Sequence, residues 1–456
     1  MKNNTEIEAS SFKDRDAQVY IQNGEIYRKI FHSYKNDYDL LMNSGLYSEL
    51  TKEGLIIKHI ETEHNFDNVY KVIKPERVFI TYPWEWCFSQ LKAAALTTLK
   101  IQKTALEYGM TLKDANCYNI QFKNNQPLLI DTSSFEKYKE GQTWTAYRQF
   151  CENFLAPLAL MAYRDISLNK LFLSNINGIP LDLTSKLLPF KTKLKPNIFL
   201  HIHLHSKFQN KYNNTNKKQT NLKMSKDSQI ALIKNLICCV NDIRLPKYET
   251  EWKDYYNFTN YSDKSFEEKK KIILDYKENI KPKKVWDFGA NTGIFSRLFS
   301  DCAEEILALD IDPLAIEMNY NYSIKHKEMN LLPIVFDLSN PSPSIGWNNQ
   351  ERVNLQTRAK NVDIVMALAL IHHLRITYNI PFPKIAEYFS EFASYIIIEF
   401  IDKDDSQIQK MLLNRRDVFD DYNVENFEKE FSKKYEIIKK NPINNTRRIL
   451  YLMRKI

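Results

Sequence analysis

Apolar positions along this chain follow one period in its first part and another in its last. Gln18 to Gln22 alternates, Asn23-Gly24 supplies a two-residue hairpin turn, and Glu25 to Ile30 alternates back. Asp37 to Leu50 has helical spacing, and Leu55 to Ile60 and Tyr70 to Ile80 are strand-like. A long helix is predicted from Phe88 to about Tyr108, with Leu91, Ala95, Leu99 and Leu106 on its buried side. Residues 144–205 are mostly helical, with Phe150, Phe154, Leu155, Leu158 and Met161 as an apolar stripe. Gln209 to Asp227, rich in Asn, Lys, Thr and Ser, breaks the pattern as a linker or mobile loop. A helix follows from Gln229 to Ile243. From residue 281 onward short apolar runs alternate with helical stretches: Val285-Trp286, Ile306 to Leu309, Ile334 to Phe336, Val362 to Met366, and Tyr395 to Ile398. Such alternation predicts an α/β domain with an open parallel sheet. The expected division is an α+β domain at 1–205, a linker at 206–227, and an α/β domain with a helical lid at 228–456.

Composition changes this picture little. The 456 residues suit two or three domains, and an apolar content of 43% is enough for real cores. No apolar run approaches the ~20 residues of a membrane span, and MKNNTEIEASSFKDRD lacks the core of a secretory signal, so cytoplasm is the expected location. The net charge of +8 comes from 64 basic and 56 acidic residues spread along the chain, which argues against a dedicated nucleic-acid surface. Cys87, Cys117, Cys151, Cys238, Cys239 and Cys302 show no ligand spacing, so neither a zinc site nor a disulfide framework is expected. His201, His203 and His205 alternate, but the surrounding sequence reads as helical and would splay them, which favours packing over metal ligation.

Candidate chemistry concentrates between the predicted strands of the last domain. Asp287, Gly289, Asn291 and Gly293 lie between the first strand and Ile294, Phe295 and Leu298, which recur at helical spacing. This is a strand, turn and helix whose glycines let a ligand approach the backbone. Later strands end in Asp310, Asp337 and Glu399, and an open α/β sheet binds its ligand at such carboxyl ends. On these residues 281–456 resemble the class I S-adenosylmethionine-dependent methyltransferases, which implies a Rossmann-like seven-stranded sheet. The resemblance implies that Asp287, Gly289 and Gly293 surround the methionine part of the cofactor. It also implies that Asp310 holds the ribose, Asp337 meets the adenine amino group, and Ala367 opens the loop beside the transferred methyl group. Asn291 stands where many members carry a second glycine, and asparagine tolerates the left-handed conformation. Trp252, Tyr255, Tyr256 and Tyr261 precede the sheet, where similar enzymes fold aromatic residues over the cofactor, and Tyr261 is the favoured lid residue.

After the fourth strand the chain reads Ala367-Leu368-Ala369-Leu370-Ile371-His372-His373-Leu374. The Asn-Pro-Pro-Tyr signature of enzymes acting on exocyclic base amines is not there, which argues against nucleobase amines as acceptors. His372 or His373 can take a proton from a hydroxyl or acidic carbon. Glu399 is a further candidate base, and no metal is required.

In the first domain Asn119 lies five residues after Asp114, and Asp131 twelve after Asn119. This spacing resembles the catalytic loop of protein kinases, which implies Asp114 as the base and Asn119 and Asp131 as Mg²⁺ ligands beside ATP. No glycine-rich loop precedes it, and Arg28 and Lys29 are candidate phosphate ligands by position. YPWEWCFSQL, LKDANCYNIQF, LLIDTSSFE and AYRQFCENFLAPLAL, followed by the methyltransferase half, resemble a bacterial family related to a rhizobial host-specific nodulation protein. The expected function is O- or C-methylation of a small molecule, sugar or lipid-linked intermediate, with a substrate-recognition or kinase-like module at the front. The alternatives are a bifunctional phosphotransferase-methyltransferase, or a protein methyltransferase with a degenerate kinase-like binding module.

Overall fold

The computed structural model describes residues 5–207, 223–246, 262–359, 361–413 and 416–456. The chain divides into two compact units, Met1–Lys247 with Ser344–Val353, and Tyr248–Pro343 with Asn354–Ile456. Among the described residues no helix is long and apolar enough to cross a membrane.

The first unit opens with strands β1 (Thr5–Ile7), β2 (Ala17–Gln22) and β3 (Glu25–Phe31), of which β2 and β3 form the expected hairpin. Helices α1 (Lys35–Asn43) and α2 (Leu46–Lys52) follow, so the single helix expected from Asp37 to Leu50 is broken in two. Strands β4 (His59–Thr62) and β5 (Val69–Pro75) complete an antiparallel sheet of order β1-β2-β3-β5-β4. Helix α3 (Phe88–Glu107) buries Leu91, Ala95, Leu99 and Leu106 as its spacing predicts. After it come β6 (Met110–Leu112), the hairpin β7 (Ile120–Lys123) and β8 (Gln126–Leu129), and β9 (Phe135–Lys137), which pairs back on β6.

Helix α4 (Lys226–Asp242) belongs to this first unit, whereas the expected division placed it with the second. Its buried Ile233, Leu236 and Val240 form a stripe, it packs on α3, and Lys92 Nζ donates to the Asn241 and Ile243 carbonyls at its end. The Asn/Lys-rich composition change therefore precedes the structural boundary by a whole helix. Ser344–Val353, sequentially between strands of the second unit, also belongs here: Glu351 pairs with Lys13 at 2.7 Å and the Arg352 guanidinium lies 4.2 Å from the Tyr118 ring centre.

In the second unit helix α5 (Asp263–Ile280) leads into β10 (Lys284–Phe288) and β11 (Glu305–Asp310). Helix α6 (Pro313–His326), β12 (Leu331–Val335) and β13 (Val362–Ala367) follow, then α7 (Phe382–Ser390) and β14 (Ala393–Ile401). Helix α8 (Val424–Phe431), β15 (Tyr435–Ile443) and β16 (Arg448–Lys455) end the chain. The seven-stranded sheet has the order β12-β11-β10-β13-β14-β16-β15. Its first five strands are parallel, and β16 runs antiparallel to both neighbours. Central strands such as Ile306 to Leu309 are buried along their length because both faces of the sheet are covered. One face packs Ile306, Ala308, Ile364, Met366, Ile397 and Leu450 against Ile273 and Tyr276 of α5. On β10, Trp286 and Phe288 contact Phe392, and Phe288 also contacts Phe389 of α7. The helix expected after the glycine turn is reduced to a four-residue 3₁₀ stretch, Ser296–Phe299.

Candidate functional site

At the carboxyl ends of β10 to β13 the second unit encloses a cavity of about 320 Å³. It is lined by Asp287 of β10, Gly289 and Asn291 of the first turn, Asp310 at the end of β11, Asp337 after β12, and Leu368, Ala369, Leu370, His373 and Leu374 after β13. This is the crevice where an open parallel sheet collects its ligand-binding loops. Helix α5 adds Phe266 and Lys269, which the sequence reading missed because their positions are ordinary helix positions.

The turn after β10 is held by the strand beside it. Gly289 and Ala290 donate backbone N–H groups to the Leu309 carbonyl, and the Asn291 N–H donates to Asp310 Oδ2 at 2.8 Å. Gly289 has φ +75° and Asn291 φ +48°, so asparagine does adopt the left-handed conformation here. Gly293 does not line the cavity. Its role is close packing, since a Cβ there would come within 2.6 Å of the Arg297 and Asn319 side chains.

The three acids stand in different surroundings. Asp287 is buried and accepts a 2.6 Å hydrogen bond from Ser296 Oγ. Burial pushes its carboxyl up to about 7, against the opposing pull of Ser296 and the Lys269 charge. Burial also raises Asp310, to about 6, although the Asp312 and Asn291 amides bonded to it act the other way. Asp337 accepts from the Ser339 hydroxyl and from the Ser339 and Asn340 amides through one oxygen, Oδ1.

The candidate bases separate sharply. His373 lines the cavity, and burial holds its imidazole below the usual value. His372 is turned into the protein, 4% exposed, with burial holding it well below that value and no hydrogen-bond partner for Nδ1. Glu399 is corrected more strongly. Strand β14 continues to Ile401, so Glu399 lies within the strand and not at its end. It is 0% exposed, with Lys269 Nζ at 2.6 Å from Oε2 and an Arg448 nitrogen at 3.5 Å from Oε1, and it does not line the cavity. Ala367, the last residue of β13, is likewise buried beneath the lining formed by Leu368 and Ala369. Ala369 has φ +49°, a strained backbone for a residue with a Cβ, and no sequence signal marked it. Tyr261, with Trp252, Tyr255 and Tyr256, lies outside the described residues.

In the first unit the structure brings Asp114, Asn119 and Asp131 together. Asn119 Nδ2 donates to Asp114 Oδ2 at 3.1 Å and to Ser134 Oγ at 3.3 Å. Asp131 pairs with Arg28 of β3 and accepts from Ser133 Oγ at 2.6 Å and Ser134 Oγ at 2.8 Å. Burial pushes the Asp131 carboxyl up, but Arg28 and the serine donors outweigh it and hold the carboxyl below its usual range. Burial and the Asp131 charge raise Asp114. Among the described residues no group of three His, Cys, Asp or Glu is placed to hold a metal ion. His201 is engaged by Tyr147 and Asn235, and His203 by Ser185 and Thr192, which accounts for both as packing residues.

Against proteins already known, no family model matches the chain. The nodulation protein NoeA of Rhizobium meliloti (strain 1021) is 32% identical over 457 residues, which cover 97% of this chain and 95% of that protein. The chain belongs to the NoeA family. Among solved structures, the N-methyltransferase NodS from Bradyrhizobium japonicum WM9 in complex with S-adenosyl-L-homocysteine matches 44% of this chain and 92% of its own. Its identity is 8% and its TM-score 0.33. The magnesium protoporphyrin IX methyltransferase from Synechocystis PCC 6803 with bound SAH matches 45% of this chain and 93% of its own, at 12% identity and a TM-score of 0.33. The second unit of this NoeA-family chain thus carries a seven-stranded sheet with one reversed strand and an acid-lined cavity at its carboxyl edge.

Proposed function

We propose that the second unit holds S-adenosylmethionine in the 320 Å³ cavity and methylates an oxygen or carbon of a small molecule, sugar or lipid-linked intermediate. The observation that carries this reading is the convergence of Asp287, Asp310 and Asp337 from three successive strand ends on one largely apolar cavity. The residues fit the cofactor: Asp310 would take the ribose hydroxyls and Asp337 the adenine amino group, while Gly289, whose added Cβ would meet Leu370 at 3.4 Å, leaves room along the backbone. When bound, the cofactor supplies a methyl group on a positively charged sulfur. Phe266, Phe295, Leu368 and Leu374 exclude water around the reacting atoms, which suits a transfer in which charge is lost. His373, kept neutral by burial, accepts the proton of an acceptor hydroxyl.

Replacing Asp310 with Ala should weaken cofactor binding by about 1–3 kcal/mol, the value of hydrogen bonds to a charged group. Calorimetry on the folded variant checks this, and unchanged affinity would remove Asp310 from the site. For His373 the sign follows from its lowered pKa: the base stays available as pH falls through 6.5 and is lost only below that. At saturating cofactor, initial rates should therefore hold steady from pH 8 to 6.5 and drop at lower pH. His373→Ala should slow turnover by about 10²-fold or more and flatten that drop. A variant as fast as wild type would exclude the histidine as base.

For the first unit, the reading best supported is a kinase-shaped recognition module without turnover. Supporting it are the five-stranded sheet, the clustering of Asp114, Asn119 and Asp131, and the placing of Arg28 on the third strand, where kinases carry a basic residue. Arg28 and two serine hydroxyls already engage the Asp131 carboxylate that a magnesium ion would need. Hydrolysis of ATP with Mg²⁺ by the full chain is expected to stay at background. Turnover that disappears in Asp131→Asn would instead establish a bifunctional phosphotransferase-methyltransferase.

A further inference from the structure

The chain's excess of positive charge is concentrated in one stretch, contrary to the even spread that the totals suggest. From Leu183 to Lys226 the sequence has ten lysines and no arginine, aspartate or glutamate, so this stretch carries +10 and the rest of the chain −2, against +8 for the whole. Lys186 pairs with Asp182 at 3.6 Å, and the next acid in the chain is Asp227. In the described part of the stretch, up to Lys207, lysines stand beside large apolar side chains that face solvent. Phe190 is 72% exposed, Leu194 75% and Leu200 45%. Exposed apolar side chains grouped in this way mark an interaction surface more often than single ones do.

The backbone holds these side chains outward. Phe190–Leu194 is a 3₁₀ turn, in which side chains three positions apart eclipse, so the turn has three faces. Thr192 takes the inward one. It is fully buried, its hydroxyl donates to the Pro189 carbonyl at 2.7 Å, and the same oxygen lies 2.9 Å from His203 Nε2, whose N–H it can accept. Ser185 Oγ lies 2.8 Å from Nδ1 of that imidazole and donates to it, so both ring nitrogens are engaged. The two outward faces each pair an apolar side chain with a cation: Phe190 with Lys193, and Lys191 with Leu194. Lys193 Nζ is 5.2 Å from the centre of the Phe190 ring. Burial holds His203 below its usual value, and the Lys193 and Lys207 charges act in the same direction, which places both lysines around one imidazole. Leu200 belongs to the helical segment Phe199–Leu204 that carries His203. We propose that this patch of the first unit docks on an anionic lipid surface, with Phe190 and Leu194 entering the interface and Lys191, Lys193 and Lys207 lying among the phosphate headgroups. Apolar side chains flanked by lysines are the combination that interfacial binding uses, and a lysine stem can lie along acyl chains while its ammonium stays at headgroup level. Nucleic acid fits less well: the stretch has no arginine for bidentate phosphate contacts, and a leucine offers no ring for a base to stack on. The proposal goes beyond the methyltransferase reading and does not depend on it; a chain held at a lipid surface is brought to acceptors of the lipid-linked class.

Co-sedimentation of the full-length protein with vesicles tests this, using phosphatidylcholine alone and phosphatidylcholine mixed with phosphatidylglycerol. Wild type is expected to bind the mixed vesicles about tenfold or more tightly than the neutral ones, and to be released as salt is raised. Two double variants separate the contributions: Phe190→Ser with Leu194→Ser, and Lys191→Glu with Lys193→Glu. Each should weaken binding to the mixed vesicles by about tenfold or more. All four side chains are exposed, so melting temperatures should match wild type; should a double variant unfold, Phe190→Ala or Lys191→Ala alone gives the same comparison with a smaller loss. Equal binding to both kinds of vesicle, or to neither, would overturn the proposal. So would a loss confined to the lysine variant, which would reduce the patch to an attraction for any polyanion. Single-stranded RNA that binds more tightly than the mixed vesicles, and is lost in the same variants, would assign the surface to nucleic acid and overturn the lipid reading.

Discussion

Asp287→Asn should make the protein more stable at pH 8 and worse at holding its cofactor. The carboxyl of Asp287 is raised to about 7 in the folded protein, from an ordinary value of 3.8, chiefly by burial. Between those two values the folded chain binds a proton that the unfolded chain has released, so stability present at pH 4 declines as pH rises towards 7. Above pH 7 the buried charge costs a few kcal/mol, as expected for a shift of this size in a fully buried group. Asparagine removes that cost. A thermal scan should therefore find the variant's melting temperature raised at pH 8 and little changed at pH 4. Cofactor affinity should fall by about 1.5–3 kcal/mol, because a hydrogen bond to a charged partner is lost. Wild-type affinity should weaken as pH drops below 7 and Asp287 takes up its proton. A variant that is less stable at pH 8 and binds as before would show that the buried acid serves the fold and not the ligand.

Glu399→Ala is expected to have the opposite character, damaging the fold before it damages the chemistry. Its carboxylate stands between Lys269 and Arg448 at 0% exposure. Removing one member of a buried set of charges leaves the others without compensation and costs about 3–5 kcal/mol. Urea unfolding should show that loss, while Glu399→Gln, which keeps the shape and one acceptor, should lose less. A folded Glu399→Ala protein of wild-type stability with no methyl transfer would return Glu399 to the list of catalytic bases.

The misreading of Glu399 has a plain origin. An acid near the end of an apolar run looks the same whether the strand stops there or continues, and Phe400 and Ile401 continue it only because β16 pairs alongside as far as Arg448. The histidine pair shows the same limit at shorter range. Adjacent residues on a helical segment point in different directions, so one of two identical side chains reached the cavity and the other the interior. The expected domain boundary followed a change in composition. Composition reports where a chain is polar, whereas the boundary depends on which apolar face finds a partner, and the Ile233, Leu236 and Val240 face found α3.

By itself the sequence determined what local pattern can determine. The alternation of short apolar runs with helical stretches predicted the parallel sheet, and the Asn23-Gly24 hairpin, the helix from Phe88 and the acids Asp287, Asp310 and Asp337 were legible for the same reason. In each case the residues concerned are neighbours in the chain, and their period or turn chemistry acts over a few positions. Tertiary structure alone decided the partners. It drew Lys269 from a helix into the cavity, locked Glu399 between two cations, set Arg28 against Asp131 across 103 positions, and placed Ser344–Val353 in the first unit. Those contacts depend on how elements far apart in the chain pack together, and no periodicity along the sequence encodes the meeting of two distant side chains.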